Sequence, residues 1–252
     1  TFTVSDGTTT TSSTITFTVN GANDAPTASN NTVTTNEDTT YTFTADDFNF
    51  SDVDGDTLSS VTVSALSGSD GTFSLNGTAI TGSTTVTKTQ IDNGQLTFAP
   101  DSNENGSNYN TFTFTVNDGT TNSSSSYTMT VDVTAVNDAP TASNNTVTTN
   151  EDTDHTFAAS EFGFTDVDGD SLDHVTIETL PSNGTLLLSG VAVSAGDEIS
   201  AADITNLVFR PAANANGSGY GSFTFSVNDG TVDSSSTYTM TVDVTAVNDA
   251  PT

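Results

Sequence analysis

Apolar and polar residues alternate along much of this chain with a period of two. In Phe112-Thr113-Phe114-Thr115-Val116 and Phe223-Thr224-Phe225-Ser226-Val227 every second residue is large and apolar, with Thr or Ser between. Successive side chains of a strand point to opposite faces, so these runs predict β-strands with one buried and one solvated face. Thr and Ser suit the outward positions of a pleated sheet. Helical periodicity is absent at useful length, apart from a short turn expected within Val86–Asn93.

The same reading gives a succession of short strands from Asn23 onward. They fall around Val33 and over Tyr41–Phe43, Val61–Ala65, Thr72–Leu75, Ala79–Thr81, Gln95–Phe98, Thr111–Val116 and Tyr127–Val133, with 99–110 as a loop. Asn76-Gly77 and Asn117-Asp118-Gly119 punctuate them as tight turns, as do Asn183-Gly184 and Asn228-Asp229-Gly230 further on. Ahead of them, Phe2–Val4 and Thr14–Val19 read as a hairpin turning at Ser5-Asp6-Gly7. About seven short strands in roughly 110 residues, with turn signals every 8–12, predict an all-β, Ig-like sandwich.

The pattern repeats. Asn23 to Thr39 is identical to Asn137 to Thr153, and Tyr127 to Thr141 is identical to Tyr238 to Thr252. Asn-Asp-Ala-Pro therefore begins at 23, 137 and 248. The period exceeds the 20–50 residues of a solenoid and suits one independently folding domain. The expected division is the last strands of a preceding repeat over 1–22, repeat 1 over 23–136, repeat 2 over 137–247, and the start of another at 248–252. Both ends are expected to continue into further repeats, with the domains strung in an extended array.

Composition qualifies this picture. Apolar residues are 32% and the formal charge is −30, with two Lys and Arg together, Lys88 and Arg210. Taken alone, those figures describe a disordered chain. The alternation argues for a folded one, provided something neutralises the carboxylates. Near-absence of Lys and Arg makes nucleic acid and anionic membrane surfaces poor partners, and no membrane insertion is expected. With no cysteine there is neither disulfide stapling nor a thiolate metal site.

Four acidic or amide clusters recur in each period: Asn-Asp before Ala-Pro, Glu-Asp after the first strand, Asp-Val-Asp-Gly-Asp, and Asn-Asp-Gly. Loops of a sandwich gather at its two ends, and alternate connections share an end. Counting strands brings Glu37 of repeat 1 together with Asn137, Asp138, Asp166, Asp168 and Asp229 of repeat 2. The same count groups Asn23, Asp24, Asp52, Asp54 and Asp118 at the first join, and Glu151 with Asn248 and Asp249 at the third. Carboxylates ~4 Å apart repel by about 4 kcal/mol at an effective dielectric of 20, so convergence requires a counter-ion. Six to eight hard oxygen ligands suit calcium, whereas zinc calls for His and Cys. An EF-hand is excluded, because Gly stands fourth rather than sixth and Val63 or Ile177 occupies the twelfth position.

Val136-Asn137-Asp138-Ala139-Pro140, following a Val-rich last strand, resembles the inter-domain linker of cadherins. Asp52-Val53-Asp54 and Asp166-Val167-Asp168 resemble their Asp-x-Asp motif, Glu37 and Glu151 their first-loop glutamate, and Val116-Asn117-Asp118-Gly119 and Val227-Asn228-Asp229-Gly230 their Ala-x-Asp-x-Gly. The set is most similar to the cadherin-like tandem repeats of giant bacterial surface and secreted adhesins. The linker is one residue shorter than the cadherin form, and Ala135 stands where an Asp is expected. The acidic pair before the sixth strand is only echoed by Asp101 and Glu104, and in repeat 2 that place reads Ala212 to Asn216. The resemblance therefore implies fewer calcium ions per join than the three of a cadherin, with weaker occupancy at the third join than at the second.

The expected function is that of a calcium-stiffened extender in an extracellular adhesin, at the cell surface or secreted, without enzymatic activity. Its expected partners are calcium and the neighbouring repeats of the same chain. Two rivals stand beside it. One is direct adhesion to another copy or to a surface polysaccharide, with Tyr109 and Tyr220 as exposed aromatic candidates. The other is a laterally packed fibre subunit. His155 and His174 occur in repeat 2 alone, where repeat 1 has Tyr41 and Ser60, and are expected at the surface.

Overall fold

The computed structural model describes residues 1–67 and 70–249, so the expected repeat start at 248–252 lies outside the described residues from 250 onward. The chain divides into two compact units, Thr1–Ala135 and Val136–Thr252.

The first unit opens with a hairpin of β1 (Phe2–Ser5) and β2 (Thr10–Ser13). Its second strand precedes the expected Thr14–Val19. Next in this register Thr1 and Thr14 meet only through their hydroxyls, at 3.5 Å, and 14–19 forms no ladder, with Phe17 and Val19 exposed.

The remainder of this unit is a two-sheet sandwich. Its strands are β3 (Asn31–Asn36), β4 (Tyr41–Thr42), β5 (Ser60–Ser67), β6 (Thr72–Leu75), β7 (Thr78–Ala79), β8 (Thr84–Thr87), β9 (Leu96–Ala99), β10 (Gly106–Asn117) and β11 (Tyr127–Thr134). One sheet has the order β3-β11-β10-β5-β8 and the other β4-β9-β6-β7. The short ladders β4 and β7 fall at expected strands, and the strand absent from the sequence reading is β8, whose one buried residue, Val86, shows no alternation. Strand β10 begins at Gly106, inside the stretch expected as a loop, and a register shift between Gly106 and Asn110 interrupts its pairing with β11. The expected turn within Val86–Asn93 is helix α1 (Lys88–Asp92), capped by Thr87 and Gln90 in a reciprocal box.

The second unit repeats this plan. Strands β12 (Asn145–Asn150), β20 (Tyr238–Thr245), β19 (Gly217–Asn228), β14 (His174–Thr179) and β17 (Glu198–Ser200) form one sheet. Strands β13 (His155–Thr156), β18 (Leu207–Arg210), β15 (Thr185–Leu188) and β16 (Val191–Ala192) form the other. In both units the first strand of the larger sheet runs parallel to the last, with Val33 beside Val131 and Val147 beside Val242.

Alternation places Phe112, Phe114 and Val116, and their counterparts Phe223, Phe225 and Val227, wholly inside. Phe48 and Phe162, each from a 3₁₀ turn, meet Phe114 and Phe225 edge-on at centroid distances of 5.1 and 4.9 Å. Such pairs add ~0.5–1.5 kcal/mol beyond the area they bury. The outer faces stay hydroxylated, as where Thr62 and Thr85 bond across strands at 3.0 Å.

Gly184 shows how closely turn and core are coupled. It sits at φ +77, and a Cβ there would overlap the Phe209 ring and lie 2.9 Å from the Arg210 carbonyl oxygen. Gly184→Ala is expected to destabilise repeat 2 by roughly 2 kcal/mol or more, combining left-handed strain with overpacking. The denaturation midpoint of repeat 2 measures it, and an unchanged midpoint would contradict this packing.

Candidate metal centres

In each repeat the acidic loop follows a two-way backbone bridge to the Asn-Asp-Ala-Pro segment. Thr27 and Ser51 exchange bonds of 2.8 Å, as do Thr141 and Thr165. The loop then curls around its first aspartate. Asp52 Oδ1 accepts the backbone N–H groups of Asp54 and Asp56 at 2.8 and 3.2 Å, and Asp166 Oδ1 accepts that of Asp170 at 3.0 Å. Gly55 and Gly169, at φ +83 and +82, supply the left-handed residue this curl requires.

The curl gathers three carboxylates. One oxygen from each of Asp52, Asp54 and Asp56 lies within 4.8 Å of the others, and the same holds for Asp166, Asp168 and Asp170. The second oxygens of Asp52 and Asp166 are buried and receive no hydrogen bond. A buried acceptor without a donor costs ~1–3 kcal/mol, and more when charged. The side chains at these centres offer hard oxygens and no nitrogen or sulfur, a donor set that fits calcium.

The linker residues close over these loops. Asn137 Nδ2 donates to Asp229 Oδ2 at 3.0 Å, and the Asp138 backbone N–H donates to Asp168 Oδ2 at 2.7 Å. In the first unit Asn23 Nδ2 reaches Asp118 Oδ2 at 3.0 Å, and the Asp24 N–H reaches Asp54 Oδ2 at 2.7 Å. The structure thus brings together Asn23, Asp24, Asp52, Asp54 and Asp118, and separately Asn137, Asp138, Asp166, Asp168 and Asp229. Asp118 and Asp229 also bind their own turns, each Oδ1 accepting two backbone N–H groups at 2.6–2.8 Å.

Glu37 and Glu151 stand at the other end of their repeats. Each follows the first strand, and its N–H bonds the carbonyl of the last-strand residue Thr134 or Thr245 at 2.9 Å. Both are almost fully buried, at 2% and 6% exposure. Asn105 Nδ2 donates to Glu37 Oε2 at 3.1 Å, and Asn216 Nδ2 to Glu151 Oε2 at 2.9 Å. The Val247 N–H donates to Glu151 Oε1 at 2.6 Å. Asn248 and Asp249 follow, exposed, with Asn248 Nδ2 on the Asp249 carbonyl at 3.1 Å.

Asn105 and Asn216 escaped the sequence reading, and Asp56 and Asp170 were read in the acidic loops but not among the expected ligands. Asp56 and Asp170 end a run in which every second residue is acidic, and that spacing was the signal available. Asn105 and Asn216 each precede a Gly at the start of a long strand, in register between repeats. The Glu104 carboxylate is engaged elsewhere, its Oε2 accepting from Tyr109 Oη at 2.9 Å, and the same Oη accepts the backbone N–H of Asp101 at 3.2 Å.

Two other expectations change. Tyr109 and Tyr220 pack partly buried against their cores rather than standing free. Burial, with Glu104 nearby, pushes the Tyr109 phenol up to about 12. His155 and His174 are also partly buried, with side chains 17% and 16% exposed, beside Glu161 at 3.2 Å and Asp173 at 2.8 Å.

Hydrogen bonds hold several acids ionised. The Asn23 amide and then the Thr121 N–H lower Asp118, and the Asn216 amide and Val247 N–H lower Glu151. Burial raises Asp229, but Asn137, Val232 and Thr231 outweigh it and the net shift is downward. A carboxylate lowered in the folded state contributes stability above its ordinary value, which is lost as pH falls through the lowered one. In chelator, this contribution is expected to fade as pH drops below 4.5 and 3.8, the ordinary Glu and Asp values. Replacing Asp118 and Asp229 together by Ala should flatten the acid limb of a melting-temperature profile. An unchanged limb would show that these bonds do not couple to folding.

A family profile described as a bacterial Ig domain matches residues 23–134 and 137–245. No curated relative matches the chain. Among solved structures, human protocadherin-24 EC1-2 is 19% identical, with TM-score 0.48, over 87% of this chain and 95% of that one. Drosophila N-cadherin EC1-4 is 15% identical, with TM-score 0.45, over 88% of this chain and 50% of that one. An endo-fucoidan hydrolase of glycoside hydrolase family 107 is 21% identical, with TM-score 0.29, over 98% of this chain. The chain spans about a third of that hydrolase's length. With both sandwiches matched from first strand to last, the chain belongs to the bacterial Ig domain family.

Proposed function

We propose that these repeats are calcium-stiffened extenders of a large extracellular adhesin. The observation that carries the reading is the pair of buried, donorless oxygens, Asp52 Oδ2 and Asp166 Oδ2, each beside two further carboxylates. The protein supplies no cation of its own to these places. Lys88 pairs with Asp92 at 2.6 Å, and Arg210 grips Asp154 with two bonds of 2.7 and 2.9 Å.

Asp166, Asp168 and Asp170 would hold an ion together with the linker residues Asn137 and Asp138. Glu37, at the end of repeat 1, would offer a further carboxylate to calcium, with Asn105 presenting its amide beside it. Bound calcium supplies double positive charge to groups that otherwise repel, and so ties linker and loop into one stiff unit. The repetition of the same centre in both repeats favours a mechanical role over a catalytic one. Outside a cell, where calcium reaches the ~10⁻⁴–10⁻³ M affinity of extracellular modules, the array would stiffen. Among the described residues no helix is long and apolar enough to cross a membrane.

Calorimetric titration of chelator-stripped protein with calcium chloride tests this. Saturable binding in that concentration range is expected, and Asp166→Ala should lose the sites of repeat 2 while keeping those of repeat 1. Heats no larger than dilution would reject the proposal.

A further inference from the structure

Strands β3 and β11, like β12 and β20 in the second repeat, run parallel from the pairs Asn31↔Met129 and Asn145↔Met240. One residue ahead of each ladder an asparagine side chain stands in for the missing strand. Asn30 Oδ1 accepts the Thr128 N–H at 2.8 Å, and Asn144 Oδ1 accepts that of Thr239 at 2.7 Å. The next asparagine is tied by its nitrogen instead. Asn31 Nδ2 donates to the Asp47 carbonyl at 2.9 Å, and Asn145 Nδ2 to the Glu161 carbonyl at 2.8 Å. An open groove lies where each ladder begins. In repeat 1 it measures about 490 Å³ and is lined by Asn30, Asn31, Thr32, Thr128 and Thr130. In repeat 2 it measures about 600 Å³ and is lined by Asn144, Asn145, Thr146, Thr239 and Thr241. Among the described residues, the Nδ2 groups of Asn30 and Asn144 and the hydroxyls of these threonines have no hydrogen-bond partner.

We propose that each groove binds a neutral glycan chain. Neither lining contains an acid or a base, although the chain carries a net charge of −30. An anionic polymer, or a second copy of this chain, would meet repulsion from the rest of the surface and find no cation in the groove to offset it. A cation has stronger ligands in the acidic loops. An apolar ligand has no apolar wall to cover, because Val33, Met129 and Val131 of these strands face the core. What remains is a ligand that is uncharged and bonds through hydroxyls. Sugar hydroxyls both donate and accept, as threonine hydroxyls do, and the amide of Asn30 or Asn144 adds two donors. That amide is already fixed through its oxygen, so less ordering has to be paid on binding. None of these contacts uses a metal, so the groove acts independently of the calcium centres.

Electrophoresis of the whole chain through gels containing a glucan, a mannan or a galactan tests this, with dextran sulfate as the charged control. Retardation by at least one neutral polymer and none by dextran sulfate is expected, equally in calcium and in chelator. The double variant Asn30→Asp, Asn144→Asp keeps the oxygen that caps each ladder and removes the free amide. It should weaken binding roughly tenfold, the loss of about one hydrogen bond to each ligand. The double variant Thr130→Val, Thr241→Val keeps the shape, removes one hydroxyl per groove and should act in the same direction. No retardation by any of the three neutral polymers would overturn the inference, as would retardation that both variants leave unchanged. Retardation seen in calcium alone would also overturn it, by assigning the binding to the acidic loops.

Discussion

Removing calcium from this chain is expected to lower its melting temperature by on the order of 10 °C for each site vacated. A ligand that binds only the folded state adds about 2.7 kcal/mol at a hundredfold excess over its dissociation constant. One kcal/mol moves the midpoint of a domain near 100 residues by roughly 4–8 °C. The effect is this large because the centres carry charge that nothing else in the protein offsets, with Lys88 and Arg210 already paired to Asp92 and Asp154. Magnesium should restore less, since it keeps its waters and demands stricter geometry. Differential scanning calorimetry in calcium, magnesium and chelator measures both. Small-angle scattering on the same samples should show greater bending in chelator, and superimposable profiles would reject the stiffening role.

The second large effect changes sign with the ion. Asp166→Asn is expected to stabilise repeat 2 in chelator by roughly 1–2 kcal/mol and to destabilise it in calcium by a similar or larger amount. In chelator the carboxylate has a buried oxygen without a donor and two acidic neighbours. An amide keeps the oxygen that accepts the Asp170 N–H and turns its nitrogen toward Asp168 and Asp170, removing an unmet acceptor and one repelling charge. In calcium the same substitution removes an anionic ligand. The two denaturation curves should therefore exchange order relative to wild type. A substitution that destabilised equally in both conditions would mean that Asp166 serves the loop alone.

The fold was largely legible in the chain because the sandwich is written as alternation. Phe112 to Val116 and Phe223 to Val227 declare which face is inside, and identical blocks declare the period. Pairing was harder to read. The parallel contact of Val33 with Val131 joins strands nearly 100 residues apart, and nothing local encodes it. The 3₁₀ turns that insert Phe48 and Phe162 into the cores are too short for any periodicity to show. Strand β10 hid its first residues because Gly106 and Asn108, at φ +156 and +53, look like loop yet sit in an irregular ladder.

For the centres, the chain disclosed the acids and concealed the amides. Asp52, Asp54, Asp166 and Asp168 stand out by charge and spacing. Asn105 and Asn216 do not, because Asn is abundant here and its role depends on lying beside a buried glutamate. Tyr109 and Tyr220 misled for a related reason. An aromatic flanked by Gly, Ser and Asn reads as exposed, whereas Tyr109 closes the core over Phe98 at a ring distance of 6.1 Å and spends its hydroxyl on Asp101 and Glu104.

The most direct measurement is an anomalous difference map from crystals of this chain grown in calcium. The account predicts a peak ~2.3–2.6 Å from Asp52 Oδ2 and another from Asp166 Oδ2, each shared with a neighbouring carboxylate of its loop. A map featureless at both oxygens, with water or nothing against them, would contradict it.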